Sequence, residues 1–156
     1  MFLNTLPIFL LFFFVAPLSL VFSWKVIRIF LLVIPTLGFL QILAMDLNST
    51  FIINFMGLNL ELVRFDKLTR IFALIFCLAA FLGNLYAWHV EDKVQQVAAI
   101  LYSGSAIGAV FAGDLVTLFF FWEGTALASV FLIWARGTEG SYHTGMRYLI
   151  IQIISG

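Results

Sequence analysis

Charged residues are scarce in this chain of 156 residues, at 10% against 63% hydrophobic residues. A soluble domain carries roughly a quarter charged residues, so this scarcity excludes a water-soluble fold. The formal net charge is zero, and the clustered Lys and Arg that would neutralise phosphates are missing, which argues against a nucleic-acid partner. The single cysteine, Cys77, excludes a disulfide framework and a cysteine-rich metal site. We expect its side chain to be a small hydrophobe inside a helix.

Long apolar runs make up most of the sequence. A helix that spans a bilayer needs about 20 predominantly apolar residues, and this rule predicts an all-α polytopic membrane protein that forms one membrane domain over residues 1–156. Five full transmembrane helices and a truncated sixth are expected. Their bounds are about 6–22, 29–45, 68–88, 94–112, 115–134 and 145–156. The first run is predicted to be a permanent helix and not a signal peptide, because no Lys or Arg precedes it and no cleavable small-residue site follows.

The loop over residues 46–67 is the one segment whose pattern is not helical. Residues 51–55 and 58–63 flank Met56-Gly57, and the second run alternates between apolar and polar residues. This pattern predicts a short β-hairpin in the outer loop. A plain connecting loop is the alternative.

The cations predict the orientation in the membrane. Connections one, three and five hold most of the Lys and Arg residues, and an excess of positive charge marks the cytoplasmic side. The N-terminus, the loop 46–67 and the turn 113–114 are then outside. The cytoplasmic set is Lys25, Arg28, Lys93, Arg136 and Arg147, and the outer set is Arg64, Lys67 and Arg70. Trp24, Trp88 and Trp134, each at a span end, are expected to anchor the helices at the interface.

Glu123 is the most informative residue, because it is the one acid predicted to lie deep in a span. It follows Leu115 by eight residues, which at 1.5 Å each places it roughly 12 Å below the outer surface. A carboxylate near the centre of the bilayer costs about 2.5 kcal/mol or more, so acids there usually face a wet cavity or a counter-ion. We expect Glu123 to be a proton relay. The alternative is a neutral, hydrogen-bonded Glu that holds two helices together.

Small and polar residues around Glu123 are candidates for lining a proton pathway. Some follow it on the same helix, and others form polar stripes on the fourth and sixth helices at helical spacing. Each stripe is also explained by hydrogen bonds between helices, and the pair Gly104 and Gly108 predicts close helix packing. The pathway candidates are Tyr102, Ser105, Thr125, Ser129, Tyr148 and Gln152.

Asp114 precedes the fifth span, and two roles are open to it. Its side chain could cap the N-terminus of that helix, or it could gather cations at the outer mouth of a pathway. Capping is the favoured interpretation.

Three segments of the sequence resemble a known family. Residues 64–76 enter the third span, residues 113–123 read Gly-Asp-Leu-Val-Thr-Leu-Phe-Phe-Phe-Trp-Glu, and residues 145–152 open the sixth run. Together they resemble the antiporter-like membrane subunits of respiratory complex I and of multisubunit (Mrp-type) Na⁺/H⁺ antiporters, and the D-type subunit of the latter most closely. The chain is expected to match the N-terminal portion of such a subunit, whether as a truncated, split or partial product.

The resemblance implies a function in ion transport within a larger assembly of a bacterial inner (plasma) membrane. Glu123 matches the family's essential glutamate on the fifth helix, which works with a lysine two helices later that this sequence does not contain. The implied partners are other membrane subunits, protons, sodium and the lipid bilayer. The alternatives are a membrane-arm subunit of a complex I-like NADH-quinone oxidoreductase and a non-conducting structural subunit.

Catalysis by the chain itself is not expected. It has no Cys cluster and no phosphate-binding Gly-rich loop, so no cofactor is predicted. An intramembrane enzyme would also need a nucleophile or metal cluster that two distant histidines and one cysteine do not supply.

Overall fold

The computed structural model describes residues 7–155, except for the side chains of Ser19 and Leu20. The described part of the chain contains six α-helices and one hairpin of two strands. The helices are α1 (Ile8–Val21), α2 (Trp24–Ala44), α3 (Lys67–Tyr86), α4 (Lys93–Phe111), α5 (Leu115–Trp134) and α6 (Glu139–Ser155), and the strands are β1 (Ser49–Phe55) and β2 (Leu58–Phe65). A single 3₁₀ turn, Ala87–His89, extends α3.

Four of these helices are long and apolar enough to cross a membrane: α2, α3 with its 3₁₀ turn, α4 and α5. The prediction of five full spans is not confirmed. Helix α1 has 14 residues, or about 21 Å of length, which is short of the roughly 30 Å of a hydrocarbon core. The predicted first residue of that span, position 6, lies outside the described residues, as does the predicted last residue of the sixth helix, position 156.

Capping side chains define where the helices begin. Asp66, Asp92 and Asp114 accept hydrogen bonds from the backbone N–H groups at the starts of α3, α4 and α5, at 2.8, 2.9 and 2.8 Å. These aspartates satisfy N–H groups that have no partner inside the helix. The predicted starts of the three helices therefore agree with the structure to within one residue.

Two helices begin earlier than the apolar runs predict. Helix α2 begins at Trp24 instead of residue 29, and α6 at Glu139 instead of residue 145. The first turn of α6 is held by Thr138 and Ser141, whose hydroxyls each accept from the other residue's backbone N–H at 3.1 Å. Such a reciprocal cap stabilises a polar first turn that a count of apolar residues leaves out.

The predicted hairpin in loop 46–67 is confirmed. β1 and β2 pair in antiparallel fashion, with Phe55 opposite Leu58. Met56 and Gly57 form the turn and have φ values of +51° and +82°. Positive φ at both central residues is the geometry of the two-residue turns that fit the twist of a hairpin.

The hairpin packs against the connection between α4 and α5. The Phe65 ring of β2 stacks on Phe111 of α4, with centroids 5.8 Å apart and an interplanar angle of 14°. The backbone N–H of Gly113 donates to the carbonyl of Glu61 at 2.9 Å. The hairpin is therefore part of the folded domain and defines one end of the molecule, here called the hairpin end.

Helix α4 lies at the centre of the packing, against α1 on one face and α5 on another. A Cβ added to Gly104 would lie 2.7 Å from Cβ of Phe12 in α1, and one added to Gly108 would overlap the ring of Phe121 in α5. The two glycines thus let both helices approach α4 closely, as the sequence predicts. Cys77 is buried in the apolar core, in agreement with its expected role.

Candidate functional site

Glu123 is the ninth residue of α5, and the helix has the bounds predicted for the fifth span. It shares a helix face with Ala126 and Val130, three and seven residues further on, and both of these are buried. Glu123 itself is partly buried. The face that carries the carboxyl group is thus turned toward protein.

One carboxyl oxygen of Glu123 is buried and unpaired. Among the described residues, Oε1 has no hydrogen-bond partner, and the ion pair found in that part of the chain joins Arg28 to Glu91. A buried polar group without a partner is costly. No hydrogen bond from Oε1 to another helix is therefore found among the described residues.

The backbone of α5 comes close to α4 beside Glu123. A Cβ added to Gly124 would lie 2.7 Å from Oγ of Ser105, and Ser105 is almost completely buried. The predicted pathway residue Ser105 is therefore located in the contact between α4 and α5, next to the residue that follows the glutamate.

The structure brings together the other five predicted pathway residues. They line one open cleft of about 510 Å³ between α3, α4, α5 and α6. The polar residues of this cleft are Tyr102, Thr125, Ser129, Tyr148 and Gln152, and its apolar residues include Phe76, Ala106 and Trp122. This set is called the polar cleft below.

Hydrogen bonds connect two sides of the polar cleft. Oγ of Ser129 on α5 lies 3.0 Å from the hydroxyl of Tyr148 on α6. Thr125 donates to the carbonyl of Trp122 in its own helix at 2.6 Å. The Ser129–Tyr148 contact can contribute to helix packing, and both hydroxyls remain on the wall of a space large enough for water.

Glu123 is absent from the lining of the polar cleft, although its neighbours Trp122 and Thr125 are part of it. Residues 122, 125 and 129 share one face of α5 at helical spacing, and residue 123 is rotated from the centre of that face by roughly 130°. The carboxyl and the polar cleft are thus on different faces of the same helix.

Asp114 caps α5 at the hairpin end. One carboxylate oxygen accepts from the Thr117 N–H at 2.8 Å, and the other accepts from the Thr117 hydroxyl and from the Glu61 N–H, both at 2.7 Å. Desolvation by burial would raise the pKa of Asp114, but the hydrogen bonds from Thr117 and Glu61 outweigh it and hold the pKa below its ordinary value. Capping, the favoured interpretation, describes the contacts that this carboxylate makes.

Sequence reasoning missed a cluster at the end opposite the hairpin. The Arg28 guanidinium donates to Glu91 at 3.0 Å and lies over the ring of Trp24, 4.8 Å from its centroid. Trp88 is also near, at 5.8 Å. The spacing of Trp24 and Arg28, four residues apart, was the available signal, because it places both on one face of a helix.

Known proteins resemble this chain in sequence and in fold. No protein-family model matches the chain. It is 30% identical over 107 residues to the Na(+)/H(+) antiporter subunit A1 of Staphylococcus haemolyticus (strain JCSC1435), which covers 64% of this chain and 13% of that protein. The subunit A1 of Staphylococcus aureus (strain bovine RF122 / ET3-1) is 29% identical over the same shares. The chain thus spans about an eighth of the length of the curated relatives it matches.

A solved structure shares the fold. In the membrane-bound sulfane sulfur reductase, an archaeal respiratory membrane complex, one chain superposes with a TM-score of 0.63 at 22% identity. The match covers 92% of this chain and 32% of that one. At this identity the likeness concerns the fold alone.

Proposed function

We propose that this chain carries the proton-relay glutamate of an antiporter-like membrane subunit. The premise is that the chain is a relative of the antiporter-like membrane subunits of Mrp-type antiporters and respiratory membrane complexes. The premise rests on the sequence match to subunit A1 and on the shared fold. The finer assignment to the D-type subunit is not confirmed, since the relatives compared above are named A1.

The observation that carries the proposal is the buried, unpaired Oε1 of Glu123. A relay group must accept a proton and release it again, and a carboxyl locked in hydrogen bonds within its own chain would be held in one state. In this proposal, Glu123 passes its proton on when a cation from another segment or subunit approaches the carboxyl group.

The polar cleft provides the second half of the pathway in this proposal. Its hydroxyl and amide groups can hold water along another face of α5. In this proposal, protons pass between the carboxyl of Glu123 and water along Tyr148 and Gln152, and the transfer needs a further group or water to connect the two faces of α5.

The assembly would exchange protons for a monovalent cation across a bacterial plasma membrane, with the N-terminus and the hairpin outside. Other membrane subunits would complete the path and supply the cation that pairs with Glu123. A second candidate is a membrane-arm role in a respiratory complex, which the shared fold with a chain of the sulfane sulfur reductase favours.

The experiment that tests the proposal replaces Glu123 by Gln in the complete host assembly. We expect cation/proton exchange in inverted vesicles to be abolished, because the amide cannot release a proton, while native gels show normal assembly. Glu139→Gln is the matched control, since Glu139 is an exposed acid in the first turn of α6, and it should retain exchange.

Two results would contradict the relay role. Exchange that persists in Glu123→Gln at the level of Glu139→Gln would remove the need for a titrating carboxyl. Loss of the assembled complex in Glu123→Gln would instead support the structural alternative, in which this side chain holds subunits together.

A further inference from the structure

A proline lies in the middle of helix α2. Pro35 is inside the helix, and its side chain is fully buried. Its ring nitrogen carries no hydrogen, so the carbonyl of Leu31, four residues earlier, loses the donor that it would have in a regular helix. The proline ring also clashes with this carbonyl and pushes it outward. Within a membrane such a freed backbone group needs another partner, because little water is there to replace the lost bond.

Asn84 of α3 provides the donor that Pro35 removes. Its side-chain amide donates to the carbonyl of Leu31 at 2.9 Å. Leu31 is 4% exposed and lies about 10 Å along the axis from the start of α2, at 1.5 Å per residue. The bond is therefore located well inside a helix that is long and apolar enough to cross a membrane. A side chain of the neighbouring helix thus takes the place of a helical hydrogen bond.

The next carbonyl of α2 is also bonded to a side chain. The hydroxyl of Thr36 donates to the carbonyl of Leu32 at 2.7 Å. Back-bonding of this kind bends helices, and an internal proline is the commonest cause of a sharp kink. Residues 31–36 are therefore the segment of α2 at which its bend changes most easily.

Three residues of α3, spaced by seven, hold α2 along one face. Arg70 donates to the carbonyl of Leu43 at 2.9 Å. Sγ of Cys77 lies 3.2 Å from the position that a Cβ added to Gly38 would occupy. Asn84 is the third, and a spacing of seven keeps all three on the same side of α3. Gly38 and Leu43 both follow the proline, so the Asn84 contact is the one of these three that acts on the carbonyl before it.

Asn84 also borders open space. It lines a groove of about 340 Å³, mainly between α3 and α4, whose polar lining residues are Asn84, Tyr102 and Ser103. Tyr102 lines the polar cleft as well. Asn84 is half-buried, whereas the residue that it bonds is almost completely buried. The amide can therefore leave the carbonyl by turning toward the groove, without displacing packed side chains of α2.

We propose that Pro35 and Asn84 form a hinge and its latch. When the latch is closed, Asn84 bonds the carbonyl of Leu31, and α2 keeps its observed bend. When it is open, Asn84 turns toward the groove and α2 bends further at Pro35, while its far end stays tied to α3 through Arg70. Asn84 is thus a positioning residue for α2, and the latch is independent of whether Glu123 carries protons.

The test measures hydrogen exchange of the purified full chain in detergent micelles by mass spectrometry. Asn84→Leu removes the donor and leaves an apolar side chain of similar shape. We expect the amides of residues 32–39 to exchange about tenfold faster in this variant, as for the loss of one hydrogen bond. The amides of α5 should keep their rates, because the latch acts on α2 alone.

Pro35→Ala provides the second arm of the test, because alanine at this position restores the helical N–H to the Leu31 carbonyl. This variant should exchange no faster than the wild type, and adding Asn84→Leu to it should have little further effect. The two substitutions are thus expected to be strongly non-additive. If Asn84→Leu alone fails to fold, as judged by circular dichroism, the double variant must still fold, since its helix has regained its own donor.

Ser103→Ala is the matched control. Ser103 lines the same groove from α4, and removal of its hydroxyl should leave the exchange of α2 unchanged.

Three outcomes would overturn the proposal. Unchanged exchange of residues 32–39 in Asn84→Leu would show that the bond does not hold α2. An equal acceleration with proline and with alanine at position 35, or a double variant that does not fold, would assign Asn84 to general packing. Acceleration of α5 to the same extent as α2 would show a global loss of stability instead of a local hinge.

Discussion

Asp114 is a single residue that joins two elements. Its carboxylate accepts from Thr117 in α5 and from the Glu61 backbone in β2, so loss of its charge affects a helix cap and a contact with the hairpin together. Asp66 offers a comparison. The hydrogen bonds from the Thr69 backbone and side chain hold the pKa of Asp66 below its ordinary value, and its contact with the Thr69 N–H lies within its own helix start.

We predict that Asp114→Asn lowers the free energy of unfolding of the chain at pH 7 by about 1–2 kcal/mol, because one oxygen that accepts two hydrogen bonds becomes an NH₂ donor. The folded pKa of Asp114 is below its unfolded value, so the stabilisation is complete above about pH 4 and is lost as the pH falls through the folded pKa. Thermal unfolding followed by circular dichroism between about pH 3 and 8 measures this difference.

The control is Asp66→Asn, which should cause a smaller loss at pH 7 because Asn also caps helices well and no second element is involved. Equal losses for the two variants would show that the contact with Glu61 contributes nothing.

At the scale of whole elements, hydropathy and capping residues predict different boundaries for the same helix. The apolar runs predicted α5 at residues 115–134, as observed, because an aspartate cap and an apolar run begin together there. The first two turns of α2 contain Lys25 and Arg28, and those of α6 contain Tyr142 and His143, so the apolar run starts after the helix does. Hydropathy reports the segment that can lie in lipid, and caps report the segment that is helical.

The hairpin could be predicted because its local signals agree with each other. Alternation on β2 matches the pleat of a strand, and Met56-Gly57 lies between the two apolar runs. The contact of the hairpin with the α4–α5 connection could not be predicted, since it depends on tertiary packing between Phe65 and Phe111.

We predict that Met56→Asn stabilises the hairpin and that Gly57→Ala destabilises it. Met56 has φ +51°, a region that Asn tolerates better than other non-glycine residues, and Ala at the φ of +82° of Gly57 would be strained by about 1 kcal/mol. Hydrogen exchange at the amides of β1 and β2 should slow in the first variant and quicken in the second. Thr50→Ala, remote from the turn, is the control, and an identical exchange rate in all variants would contradict the assigned turn.

On the scale of the whole molecule, five of the predicted pathway residues share the polar cleft, whereas Ser105 and Glu123 are on other faces. Sequence spacing places Tyr102 and Ser105 on one side of α4, within about 60° of each other. It cannot tell which neighbouring helix meets each edge of that side. The position of α5 decides this, because Gly124 brings its backbone against Ser105 while Tyr102 remains at the cleft.

We predict that the polar cleft contains water in the host assembly. In a Cys77→Ala background, Thr125→Cys should react several-fold faster with a membrane-impermeant thiosulfonate than Leu127→Cys. Thr125 lines the cleft, whereas Leu127 is 51% exposed on another face of the same helix, where lipid or another subunit would cover it. The replaced Cys77 is buried. Equal rates at the two positions would contradict a wet cleft, and modification is measured by mass shift.

The hydrogen bond from the Glu61 N–H to Asp114 fixes the position of α5 along its own axis. A helix that slides by one residue moves by about 1.5 Å along its axis and turns by about 100°, and either change would break this bond and its partners at Thr117. Glu123 lies nine residues beyond Asp114 in the same rigid rod. The hairpin thus fixes both the depth of the Glu123 carboxyl group and its angular position around the axis of α5, although it does not contact that group.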